Sequence, residues 1–174
     1  MAEPKRRPNA FLDRLNLIYY ALLSVSLILF LYTYLEETAE AQAGGPRGTA
    51  LNYDTDPTLA WSVRLGVGLL ALVDTAAGFL LFRRQLAAID KRAPLDEKLA
   101  RYRRAFLVQV ALYASAMLLV AVFYYFSGDE VFAFLYVIVL LISASARPSL
   151  HALRTRLALT QEETRQLSAT DVVT

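Results

Sequence analysis

Residues 15–35 read LNLIYYALLSVSLILFLYTYL, and this stretch decides the fold class. No charged side chain interrupts it. Its apolar residues follow neither the period of 2 of a half-buried strand nor the single stripe of an amphipathic helix. A helix rises about 1.5 Å per residue, so roughly 20 residues cross a hydrocarbon core about 30 Å thick. The stretch has that length and is apolar on every side, as a lipid-facing helix is.

Working outward, three more blocks of the same character follow at about 59–82, 105–126 and 131–146. The last is the shortest before Arg147 and is expected to stand straighter, or to use Asp129 and Arg147 as snorkelling ends. Hydrophobic residues make up 56% of the 174-residue chain, above the 45–50% or so of soluble domains. The excess lies in these four blocks. The first is too long for the apolar region of a cleaved signal peptide.

Charge sets the expected orientation. Of the 18 Lys and Arg residues, those in 1–14, in 83–104 and in 147–174 outnumber those in 36–58 and 127–130, where only Arg47 occurs. Positive segments stay in the cytoplasm, so both termini and the 83–104 segment are expected there. Segment 36–58 is acidic, with Glu36, Glu37, Glu40, Asp54 and Asp56. Tyr32, Tyr34, Trp61, Tyr124 and Tyr125 fall near the outer boundary, as aromatic belts do.

The expected architecture is an all-α membrane protein of four transmembrane helices in two antiparallel hairpins, N-in and C-in, with cytoplasmic helical extensions. It divides into a basic N-terminus (1–14), a bundle (15–158) and a tail (159–174). Pro94 followed by Asp96 and Glu97 predicts a helix start at Leu95 that runs into the third span. Thr160 with Glu163 forms a capping-box pattern in the tail. The segments after spans two and four share R-x-x-L-x-A-[IL]-x-x-R at an offset of 64, from Arg83/Arg147 to Arg92/Arg156. A duplicated hairpin would give that, and so would the ordinary composition of helices leaving a bilayer.

Ionisable groups inside spans are the places to look for function. There are two, both in the second span. Arg64 lies at the level of the outer aromatics. It is expected to snorkel, to pair with the acidic loop, or to stack on Trp61 or a neighbouring tyrosine; attraction of an anionic ligand is the functional alternative. Asp74 lies near mid-membrane, about 13 Å from Arg83 along the helix. A short carboxylate does not snorkel that far. Ser24, Tyr113 and Tyr136 fall at matching depths, with Gln109 one turn from Tyr113. These five define a candidate proton- or cation-binding layer, set against a structural reading in which Asp74 is neutral and holds helices together. Gly68, Ala71, Thr75 and Gly78 form a stripe that lets a second helix approach closely, within the bundle or at an oligomer seam.

Several chemistries lack their residues. Cysteine is absent and His151 is the single histidine, which removes disulfides, thiolate metal sites and haem-ligand pairs. There is no phosphate-cradling loop and no Ser/His/Asp arrangement. No cofactor is expected. The basic segments suit anionic lipid at the cytoplasmic face, and nucleic acid is not an expected partner. The function expected is therefore a non-enzymatic structural or accessory subunit of the inner (plasma) membrane, self-associating or joined to a larger complex. The alternative is a small oligomeric channel or a proton- or cation-coupled carrier that uses Asp74.

Overall fold

The computed structural model describes residues 10–43, 57–90, 93–157, 159, 161 and 163. Among them the chain is all helix, with no strand. Helix α1 runs Ala10–Gln42, α2 Pro57–Ala87, α3 Leu95–Ser127, α4 Glu130–Ser145 and α5 Leu150–Leu157. Three of these, α1, α2 and α3, are long and apolar enough to cross a membrane; α4 is apolar but shorter, at 16 residues. The surface fits that reading. Leu17, Ile28, Leu69, Leu72, Phe134 and Leu141 are all exposed, a pattern that water does not tolerate over so large an area.

Each end of these helices has a local cause. Pro94 precedes α3 in an extended conformation, with φ −57° and ψ 151°, and Asp96 and Glu97 follow in the first turn, where the helix dipole favours acids. The helix therefore starts at Leu95, as the sequence predicts. At its other end Gly128 adopts φ 60° and returns its N–H to the Tyr124 carbonyl at 2.7 Å. A side chain at that left-handed position would be strained, which explains the glycine. One residue on, Asp129 caps α4 by accepting from the Val131 N–H at 3.0 Å. Helices α3 and α4 are thus joined by a turn with no slack.

The helices exceed the apolar blocks at several ends. Helix α1 extends beyond 15–35 on both sides, because Asp13, Arg14, Glu36 and Glu37 are compatible with helix once the chain leaves lipid. Helix α4 starts one residue before the expected block and stops one residue before its end. Arg147 precedes Pro148, whose ring disfavours helical geometry at Arg147, so the chain breaks and restarts as α5. Arg83, by contrast, lies inside the continuous α2. The two members of that repeated pair therefore sit in different local structures. The Thr160 half of the capping-box pattern, Arg92, most of the 36–58 segment and the end of the tail lie outside the described residues.

Helix α3 is the hub. It packs against α1, α2 and α4, while α1 and α2 barely meet. Ala105, Ala116, Val120 and Ala121 are buried along its length, small side chains that let three neighbours crowd one axis. Helix α1 reaches α4 through long side chains instead. The Tyr19 hydroxyl donates to the Ser143 carbonyl at 2.8 Å, and the Phe30 ring stacks on Tyr136 with centroids 3.9 Å apart. Below the bundle, Leu153, Leu157 and Leu159 are buried in the same apolar core. They fold the tail back under α3.

Candidate functional site

The α2 stripe makes an intramolecular contact. Ala71, Thr75 and Gly78 are buried against α3, and a Cβ at Gly78 would approach Tyr113 Cε1 to 3.0 Å and the Gln109 carbonyl to 3.4 Å. Only glycine allows that approach without displacement. The Thr75 hydroxyl donates back to the Ala71 carbonyl at 2.7 Å, which satisfies it inside its own helix. Gly68 differs from the other three: nothing lies within 4 Å of a Cβ placed there. Val67 holds the buried position at that level.

The five residues of the candidate ion-binding layer are only partly brought together. Gln109 Nε2 donates to the Tyr113 hydroxyl at 3.0 Å, a pair wholly inside the protein. Tyr136 is buried against Phe30, and its hydroxyl has no hydrogen-bond partner among the described residues. Ser24 lies on an exposed face of α1. Asp74 is half-buried and makes no hydrogen bond or ion pair with any of the other four. Proximity in depth, which the sequence supplied, did not fix direction around each helix axis.

Arg64 finds a partner outside the acidic loop. Its Nε donates to Asp129 Oδ2 at 2.6 Å, with 38% of the arginine side chain and 9% of the aspartate exposed. Trp61 is exposed nearby on α2. Asp129 therefore caps α4 with one oxygen and receives α2 with the other. Nothing in residues 127–130 read alone announces both roles. The spacing of 65 residues between the partners is invisible to any local pattern.

Lys98 is a further residue that local reading passes over. It is only 3% exposed, and its ammonium lies 2.7 Å from Glu163 Oε1. A buried lysine needs such a partner. This contact ties the start of α3 to the tail.

A crevice of about 760 Å³ is walled by α2 and α4, backed by α3 and floored by α5. Leu72, Phe79 and Ile142 supply apolar walls, and Gln109 and Tyr113 supply the polar back. Arg83 and Arg156 stand at its basic end. The Arg83 guanidinium lies 5.6 Å from the Phe79 ring centroid and that of Arg156 lies 5.1 Å from Phe82. Asp74 belongs elsewhere. It lies two residues from both Leu72 and Ala76, about 160° away around α2. A second, smaller recess of about 510 Å³ lies between α1, α3 and α4 near Tyr34, Glu37 and Glu130.

Among the described residues no group of three His, Cys, Asp or Glu side chains is placed to hold a metal. No family model, no curated protein and no solved structure matches the chain.

Proposed function

We propose that this is a four-span membrane protein with both termini in the cytoplasm, acting as a non-enzymatic structural or accessory subunit that self-associates or joins a larger membrane complex. The observation that supports this reading best is the position of α3. Its buried side chains fill the middle of the helix group among the described residues, which speaks against an axial path for solute within one chain. The fourth span in this reading is α4, about 24 Å long at 1.5 Å per residue. It falls short of the usual hydrocarbon thickness; Arg147 is exposed at one end, while the Asp129 side chain at the other is largely buried against Arg64.

The subunit reading is tested by purification in a mild detergent at the protein's native level. A defined homo-oligomer or stoichiometric partners is the expected result; a clean monomer overturns it. Orientation is tested separately by a reporter fused after Thr174, expected in the cytoplasm.

The second reading, a small oligomeric channel or a proton- or cation-coupled carrier, draws on Asp74. A half-buried carboxylate in a span with no hydrogen-bond partner among the described residues is a group with capacity to bind a cation. In that reading the path runs between copies of the chain.

A further inference from the structure

The crevice between α2 and α4 combines three features. First, its walls are apolar and open at lipid level: Leu72, Phe79 and Ile142 line it and remain exposed. Second, its basic end carries Arg83 and Arg156, both exposed and neither ion-paired with a carboxylate among the described residues. Two guanidinium groups, each over an aromatic ring, give this end of the crevice a positive charge suited to phosphate. Third, Gln109 is only 4% exposed, and its Oε1 has no hydrogen-bond partner while its Nε2 is engaged by Tyr113. A buried amide left half-satisfied is uncommon in a settled core. Here it lines the crevice.

The spacing of these groups matches one kind of molecule. Gly78 touches the Gln109 backbone, and Arg83 lies five residues further along α2, about 7–8 Å away along the axis. A ligand that spans the crevice therefore meets cations first, a polar amide about 7–8 Å deeper, and an apolar wall beyond. Phosphate, glycerol backbone and acyl chain follow in that order in a phospholipid. The volume lies within the range of about 300–1,000 Å³ common to small-molecule sites, enough for part of a lipid.

We infer that this crevice is a specific site for an anionic phospholipid, with the phosphate held between Arg83 and Arg156, the glycerol region against Gln109 and Tyr113, and one acyl chain lying between α2 and α4. The site differs from general attraction of basic segments to anionic lipid. It names two arginines among many, and it adds a polar contact below the headgroup. It rests on the membrane placement proposed above.

Native mass spectrometry of the full-length protein, delipidated and then titrated with lipid, tests the site. Phosphatidylglycerol is expected to bind the wild type about tenfold more tightly than phosphatidylcholine, and the Arg83→Gln/Arg156→Gln variant is expected to lose that preference. Arg103→Gln, on the exposed face of α3 outside the crevice, should leave it intact. Ala76→Phe fills the apolar slot with both arginines in place, and it should weaken phosphatidylglycerol binding at least fivefold. Each variant is checked for an unchanged elution volume and unfolding temperature. If the double variant fails that check, the Ala76→Phe and Arg103→Gln results decide. Equal loss in Arg103→Gln, equal affinity for the two lipids, or unaltered binding by Ala76→Phe would overturn the site. Oleate binding as tightly as phosphatidylglycerol would overturn the phospholipid in favour of a free fatty acid. Failure of these titrations with the Thr174 reporter still cytoplasmic defeats the site alone; a reporter on the other side defeats the membrane placement.

Discussion

Arg64 on α2 and Asp129 at the head of α4 are joined by a hydrogen-bonded ion pair of 2.6 Å, while the other oxygen of the same carboxylate caps α4. One residue thus fixes both the start of a helix and the position of a neighbouring one. A lost N-cap costs about 1 kcal/mol. The ion pair, with its arginine more than a third exposed, contributes at the low end of the roughly 0.5–3 kcal/mol spanned by exposed and charged hydrogen bonds. Relative to wild type, Asp129→Ala should therefore destabilise more than Arg64→Gln. Thermal unfolding in detergent measures both. The reverse order would show that the cap contributes little.

Gly78 and Gly68 separate a packing glycine from a tolerated one. Gly78→Val drives a branched side chain into Tyr113 and the Gln109 backbone, an overpacking expected to cost about 1–3 kcal/mol or more. Gly68→Ala meets open space and gains helix propensity, up to about 1 kcal/mol in a water-exposed helix. Unfolding temperatures should move in opposite directions.

Two tyrosine hydroxyls make a matched pair. That of Tyr19 donates to the Ser143 carbonyl, so Tyr19→Phe should cost about 1 kcal/mol and loosen α1 from α4. That of Tyr136 is buried without a partner among the described residues, so Tyr136→Phe should be neutral or stabilising. A large loss in Tyr136→Phe would reveal a partner that the described residues do not supply.

Asp74→Asn discriminates the two functional readings. Liposomes carrying wild type or variant should show the same low proton and cation flux if the chain is a structural subunit. Flux present in wild type and absent in the variant would favour the carrier instead.

Glu163→Gln removes the charge opposite buried Lys98. Truncating one member of a buried pair costs more than the pair contributes, because the survivor stays desolvated. Limited proteolysis should cut the tail faster in this variant, while the spans stay intact. Unchanged cleavage would mean that Leu153, Leu157 and Leu159 hold the tail unaided.

The parts of this molecule that the sequence made legible are those set by local chemistry. Uninterrupted apolar blocks marked the helices, Pro94 with Asp96 and Glu97 marked the start of α3, and small residues at Ala71, Thr75 and Gly78 marked a close contact. The site was less legible. Gln109 and Tyr113, one turn apart on one helix, share a hydrogen bond, a neighbourhood that helix spacing alone conveys. Asp74, Ser24 and Tyr136 were matched by depth, and depth carries no information about rotation around three separate axes. Arg83 and Arg156 read as topology signals, since nothing local distinguishes an arginine that overhangs a crevice from one that faces open solvent. Asp129 and Lys98 depend on partners 65 residues away, a distance that only tertiary packing spans.

The turn Ser127-Gly128-Asp129 has a consequence for how the protein enters a membrane. With α3 and α4 separated by so few residues, neither has a tether long enough to wait in water while the other inserts. In the four-span placement proposed here, the two must enter as a single hairpin, its tip carrying the two carboxylates of Asp129 and Glu130 across the bilayer. Arg64, synthesised earlier on α2, is already at the far side to receive Asp129. The order of the chain thus places the counter-charge before the charge, and biogenesis gains a docking point at the moment the last helix arrives.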